Sequence, residues 1–356
     1  MFDGKSSKGL YKSRSKTEVF MFKVLTLISL GSCFFNVSAF AQTTTPATIK
    51  IDGSSTVFPI TEAVAEEFQN SKKGQVRVTV GISGTGGGFK KFCRGETDVQ
   101  DASRPISKEE MEVCSKAGIK YFELPIAYDA MVVAVNPKNT WVKELTVENL
   151  KKMWEPAAQG KIMKWNQVRA EWPDSPLNLF GAGSDSGTFD YFTEAINGKA
   201  KASRGDYTGS EDDNTLVLGV SNDKNALAYL PFSYYSANMK KMKAVAIIGG
   251  EKAPVKKPIM PSKETVENGT YFPLSRPLFI YVSAKSFERP EIVEFAKFYM
   301  DNAAKLASQV KYVSLPAKAY KMANENLTKK KLGTVFGGEN EVGLKIEDLL
   351  KREAKH

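Results

Sequence analysis

Three short runs, Gly53-Ser54-Ser55-Thr56, Ser83-Gly84-Thr85-Gly86-Gly87-Gly88 and Ser184-Asp185-Ser186-Gly187-Thr188, consist almost entirely of hydroxyl residues and glycine. Each closes an apolar, strand-like stretch and opens a helix-like one. Glycine lets the backbone turn tightly, the first N–H groups of a helix lack partners, and Ser or Thr adds a further donor. One such run is an ordinary helix cap. Three in one chain require an α/β architecture whose strand ends gather donors around an oxyanion.

The 356 residues open on a segment that stands apart from the rest: Val24 to Ala41 is mostly apolar, follows Lys23 and ends in Ala39-Phe40-Ala41. This pattern predicts a secretory signal peptide over 1–41, cut before Gln42, with Met21 as an alternative start. Leu30-Gly31-Ser32-Cys33 also resembles a lipoprotein box, but Phe34-Phe35 is unlike a polar tether, so the plain signal peptide is preferred and a periplasmic location expected. The segment before Gln42 carries six Lys/Arg against two acids, which leaves +6 of the chain's +10. No basic cluster interleaved with aromatics is present, so nucleic acid is not an expected partner. Cys93 and Cys114 then form an even pair in an exported chain, which predicts a disulfide; two buried thiols are the alternative. A structural zinc site generally takes four ligands, so no metal is expected.

From Ala47 onward, short apolar strands alternate with amphipathic helices. Strand Ile49–Asp52 precedes a helix carrying Ile60, Val64 and Phe68 on one face; strand Val76–Ile82 precedes one with Phe89, Phe92 and Cys93; strand Leu177–Gly181 precedes one with Phe189, Phe192 and Ile196. Ala127–Asn136 and Pro277–Val282 have the composition of fully buried strands. They are read as crossings between two domains, giving a first lobe over 42–128, a second over 129–275 and a return to the first over 276–356. Ser107-Lys108-Glu109-Glu110 has capping-box spacing, so a helix should begin there and carry Cys114.

The only histidine is His356, the last residue. Ser-His-Asp and Cys-His arrangements are therefore excluded. Gly183-Ser184-Asp185-Ser186-Gly187 has Asp where a nucleophile elbow needs its serine, and the glycine run meets neither the Walker nor the dinucleotide pattern. Donors without a catalyst bind a tetrahedral anion rather than transform it, and such a site needs a counter-charge. Arg104, in Ala102-Ser103-Arg104-Pro105-Ile106, follows a strand and precedes a helix; it is the candidate, with an ordinary surface pair as the alternative.

The runs Asp52–Pro59, Ser83–Cys93, Gly95–Asp98, Ala102–Ile106, Ser186–Thr188 and Tyr312–Pro316 together resemble the periplasmic phosphate-binding proteins of the Pst-type ABC transporter, especially their SphX-like branch. The resemblance spans essentially the whole chain after the leader. It implies a two-lobed type II periplasmic binding fold with two crossover strands as hinge, no enzymatic activity and no cofactor. It also implies a monomer that binds inorganic phosphate and docks on the transporter's membrane permease. Carried over motif by motif, the phosphate ligands are Ser55, Thr56 and Val57 from the first loop, Ser83 and Thr85 from the second, and Ser186, Gly187 and Thr188 from the third. The best-known branch also uses an aspartate that accepts the phosphate proton and an arginine before Ser-Gly-Thr. Here those positions fall on Ser103, with Arg104 beside it, and on Ala182. Asp101 and Asp185 are the carboxylates left to read the proton, and Ser210 is a further donor candidate. A receptor for another oxyanion, a phosphate sensor and, least favoured, a phosphate-ester hydrolase remain as alternatives.

Overall fold

The computed structural model describes residues 46–355; the leader, Cys33 and His356 lie outside them. The first part of the chain runs β1 (Ala47–Gly53), α1 (Phe58–Ser71), β2 (Val76–Val80), α2 (Gly84–Phe92), β3 (Val99–Ala102), α3 (Lys108–Lys116) and the long β4 (Tyr121–Val135). The middle comprises β5 (Glu144–Thr146), α4 (Val147–Trp154), β6 (Asn178–Ala182), α5 (Gly187–Asn197), β7 (Thr208–Ser210), α6 (Asp213–Asn222), β8 (Ala226–Pro231), α7 (Phe232–Ala237), β9 (Lys243–Ala244), β10 (Ala246–Ile248) and α8 (Lys263–Glu267). The last part is β11 (Ser275–Ser283), α9 (Pro290–Gln309), α10 (Ala317–Thr328) and α11 (Ile346–Glu353).

Strand order is β2-β1-β3-β11-β4-β8-β6-β7, and β4 is the strand shared by both halves. Its residues Tyr121–Ala130 pair antiparallel with β11, and Met131–Val135 pair antiparallel with β8. Every residue of β4 is buried, as a near-continuous apolar run demands when both faces are covered. The chain thus changes sheet at Ala130–Met131. Its return falls at Leu274–Ser275, where the Met131 N–H donates to the Leu274 carbonyl at 2.7 Å. β11 itself lies wholly in the first sheet, so of the two strands expected to cross only β4 does so along its length. Pro125 and Pro277 lie close to the register shift between Leu278 and Phe279, where the ladder is interrupted.

Each lobe has an aromatic core that fixes its helices. Phe68 of α1 meets Phe295 of α9 edge-on at 5.2 Å. In the second lobe Trp154 packs edge-on against Phe192, Tyr207 and Tyr229. Helix α3 begins with the capping box expected of it: Ser107 Oγ accepts the Glu110 N–H at 3.2 Å and the Glu110 carboxylate accepts the Ser107 N–H at 2.9 Å. The segment between α10 and α11 reaches back over the second lobe, where the Gly343 N–H donates to the Tyr191 hydroxyl at 2.8 Å.

Cys93, just past α2, and Cys114, in α3, are bonded across a separation of 21 residues. Replacing both with serine should lower the unfolding free energy by about 3 kcal/mol on the chain-entropy estimate, read as a lower urea midpoint with the native circular dichroism retained.

Candidate functional site

Parallel pairing of β1 with both β2 and β3 carries the three loops that follow them to one edge of the first sheet. The Ser54 N–H donates to the Asp101 carbonyl at 3.0 Å, tying the first loop to the end of β3. Ser55, Thr56, Val57, Thr85 and Ser103 are all buried there. Thr85 Oγ1 accepts the Ser103 N–H at 3.1 Å and lies 3.2 Å from Ser103 Oγ. From the second lobe, the loop after β6 brings Ser186, Gly187 and Thr188 to the same place. Ser186 Oγ caps α5 by accepting the Thr188 N–H at 3.1 Å. Thr56 Oγ1 and Thr188 Oγ1 meet across the lobes at 3.0 Å.

The approach is close enough to require glycine. A Cβ on Gly187 would fall 2.5 Å from both Ser103 Oγ and Thr85 Oγ1. At Gly84 the backbone has φ +74°, and a Cβ would fall 2.5 Å from the Asp185 carbonyl oxygen. That same carbonyl accepts the Gly86 N–H at 2.8 Å, a backbone bond between lobes.

Beneath these loops lies Arg276, with no exposed surface. Nη2 donates to Thr188 Oγ1 at 2.8 Å, Thr56 Oγ1 at 3.3 Å and Asp129 Oδ2 at 3.1 Å, and Nη1 donates to the Gly187 carbonyl at 3.0 Å; Nε has no partner. Arg276 and Asp129 are directly opposed in the β4–β11 ladder, one residue from the point where β4 changes sheet. Burial pushes the Asp129 carboxyl up to about 6, and the Arg276 guanidinium is what holds it from rising further. Such a pair depends on both members, because removing either strands the other charge in a dry interior.

Arg104 lies at the cleft edge, 6 % exposed. Its Nη1 and Nη2 grip the two Glu110 oxygens at 2.8 Å each, and Nε donates to Asp190 Oδ2 of α5, in the opposite lobe, at 2.8 Å. This is a bidentate fork plus an interlobe bond, in the geometry where charge-assisted hydrogen bonds are strongest. Burial raises the Asp190 carboxyl even so. A cavity of about 690 Å³ opens beside it, lined by Lys90, Arg104, Glu110, Asp185, Asp190 and Lys201 among others.

Of the residues singled out from sequence, Thr56, Thr85, Ser103, Gly187 and Thr188 converge, with Ser55, Val57 and Ser186 in the same loops. Ser83 does not join them: its hydroxyl donates to Asp52, which also holds Lys91 at 2.6 Å. Asp101 Oδ1 accepts the Thr61 hydroxyl at 2.9 Å on the α1 side, and Asp185 is partly exposed and paired with Lys90 at 2.8 Å. Ser210 Oγ accepts the Asp212 N–H at 3.0 Å within its own loop. Sequence reasoning missed Arg276 and Asp129. The available signal was a lone charge within or beside each of two apolar runs read as fully buried strands, Asp129 within Ala127–Asn136 and Arg276 immediately before Pro277–Val282.

A family model described as a PBP superfamily domain matches residues 38–303. The chain is 50% identical over 329 residues to Protein SphX of Synechocystis sp., covering 92% of this chain and 96% of that one. It is 39% identical over 281 residues to the phosphate-binding protein PstS of Staphylococcus epidermidis, covering 78% and 82%. Among solved structures it is similar to a possible phosphate-binding protein from Planctomyces limnophilus, with 47% identity, TM-score 0.60 and coverage of 81% of this chain and 100% of that one. It is also similar to a phosphate ABC transporter substrate-binding protein with bound phosphate from Clostridium perfringens, with 26% identity, TM-score 0.63 and coverage of 76% and 100%.

The Gly187 contact yields a direct check with phosphate as the probe. Gly187→Ala should weaken phosphate binding by roughly tenfold or more in calorimetric titration, because an added methyl prevents the two lobes from meeting, while the melting temperature stays near that of the parent chain.

Proposed function

From the premise that this chain belongs to the SphX/PstS family of phosphate-binding proteins, we propose that it captures inorganic phosphate between its two lobes and delivers it to the membrane permease of an ABC transporter. The lobes divide at Ala130/Met131 and Leu274/Ser275. The observation that carries the reading is the convergence of hydroxyl loops from both lobes over Arg276, with Thr56 and Thr188 3.0 Å apart. Donors on both sides of a cleft make ligand capture and lobe closure one event, since neither half of the set surrounds the anion alone.

In this reading the anion is held by the Ser55–Val57 loop, Thr85, Ser103 and the Ser186–Thr188 loop, and displaces the direct contact between the two threonine hydroxyls. Arg276 supplies fixed positive charge from the floor. Arg104 supplies a second from the rim by exchanging one carboxylate partner for the anion. Ser83 belongs to the second loop, but its bond to Asp52 favours a supporting role. The protein works outside the inner membrane, as the exported leader suggests. Capture rather than catalysis is favoured because Ser186, the hydroxyl at the start of α5, is taken up in accepting the Thr188 N–H, and no histidine stands beside it among the described residues.

Calorimetric titration of the purified protein with phosphate tests this. Saturable one-to-one binding is expected, and the absence of any binding overturns the reading. Arg104→Ala should weaken phosphate by roughly 2–4 kcal/mol, the range for truncating one partner of a buried hydrogen-bonded charge pair. A loss below about tenfold assigns the counter-charge to Arg276 alone.

A further inference from the structure

Between α10 and α11 the chain makes a detour that the anion site does not call for. Its start is pinned to the first lobe: the Gly333 N–H donates to the Tyr121 carbonyl at 2.9 Å, the Val335 N–H donates to Glu123 Oε1 at 3.0 Å, and the buried Phe336 ring meets Phe279 of β11 edge-on at 5.4 Å. Its end is pinned there as well, where the Tyr128 hydroxyl of β4 donates to the Leu344 carbonyl at 2.9 Å and Leu349 of α11 is fully buried. Between those anchors the segment leaves its own lobe. Asn340 Nδ2 donates to Glu194 Oε2 of α5 at 2.6 Å, and the Gly343 N–H donates to the Tyr191 hydroxyl, one turn earlier on the same helix. Gly338, Glu339 and Asn340 also line the cavity beside Arg104, together with Lys199 and Lys201 of the second lobe.

Helix α5 is the one whose first turn carries Gly187 and Thr188 and, at Asp190, the interlobe partner of Arg104. A segment fixed at both ends to one lobe and bonded in its middle to this helix cannot stay slack when the lobes part. The two bonds differ in what they feel. The Tyr191 hydroxyl also reaches the Pro273 and Ser275 carbonyls at 2.9 and 2.7 Å, where the chain returns to the first lobe, so that contact lies on the hinge and moves least. The Glu194 carboxylate has no hinge partner. Its bond to Asn340 is the one that stretches as α5 swings away.

Building on the phosphate reading, we propose that residues 333–344 are a strap across the closed cleft, that Asn340 and Glu194 are its catch, and that this catch sets how fast the bound anion leaves. A hydrogen bond to a carboxylate is among the stronger kinds, and its partly buried setting limits competition from water. The bond exists only while the lobes are closed, so it acts on release. An anion enters an open cleft in which the catch is already parted, and leaves only after the catch has broken. The Lys108–Glu339 pair on the same segment is exposed and contributes little beside it. None of the strap's hydrogen bonds among the described residues reaches the three hydroxyl loops, so its loss leaves the anion's own donors in place.

The test measures capture of radiolabelled phosphate, and its release into excess unlabelled phosphate, by rapid filtration. The proteins are the parent, Asn340→Ala, Glu194→Ala, Glu194→Gln and the variant carrying both alanines. Either single alanine variant should release phosphate about threefold to tenfold faster while capture stays within about twofold of the parent. The doubly substituted protein should release no faster than the singles, because both remove the same bond, and Glu194→Gln, which keeps an acceptor oxygen, should stay near the parent. Unchanged release in the alanine variants overturns the proposal, as do alanine effects that add in the doubly substituted protein. Asn340 and Glu194 lie on different segments, so one folded alanine variant decides the matter should the other fail to fold. A parent protein that binds no phosphate is a different outcome: it defeats the phosphate reading, and this inference with it.

Discussion

An arginine with no access to water must draw its partners from the protein, and the oxygens that meet the two Nη atoms of Arg276 come from parts of the chain that are otherwise unrelated. Asp129 faces it across the β4–β11 ladder, Thr56 belongs to the first loop of the first lobe, and Thr188 and the Gly187 carbonyl belong to the second lobe. The pair sits where the chain changes sheet, so a single desolvated charge organises the hinge and the floor of the cleft together. The ion pair contributes little net stability of its own after desolvation, but each partner fixes the other. An anion arriving above it finds positive charge already oriented, in a setting where water competes weakly.

Around this floor the lobes are held together by a second set of contacts nearer the rim. Arg104 bridges Glu110 of its own lobe to Asp190 of the other, and the Gly86 N–H reaches the Asp185 carbonyl. The exposed Lys90–Asp185 pair adds modestly, because solvent screens it. The rim contacts that involve Arg104 are buried and charge-assisted, so they favour the closed arrangement most once water has left the cleft. Closure and anion contact therefore reinforce each other through neighbouring residues of the same loops.

Much of the local architecture is legible in the sequence because its causes are local. The Ser107/Glu110 box announces α3, glycine announces the turn at Gly84 and the close approach at Gly187, and the Cys93–Cys114 pair follows from export and an even count after the leader. What was not legible depends on distant register. Arg276 meets Asp129 only because β11 pairs with β4 across 147 residues, and Arg104 meets Asp190 across 86. Ser83 looked equivalent to Thr85, two positions on, yet the turn at Gly84 sends one hydroxyl to Asp52 and the other into the cleft.

The most direct measurement is a crystal structure of the protein with phosphate bound. The account predicts one phosphate between the Ser55–Val57 and Ser186–Thr188 loops, above an intact Arg276–Asp129 pair, with the Thr56 and Thr188 hydroxyls turned to its oxygens. Phosphate bound elsewhere, or an Arg276 withdrawn from both threonines in the complex, would contradict it.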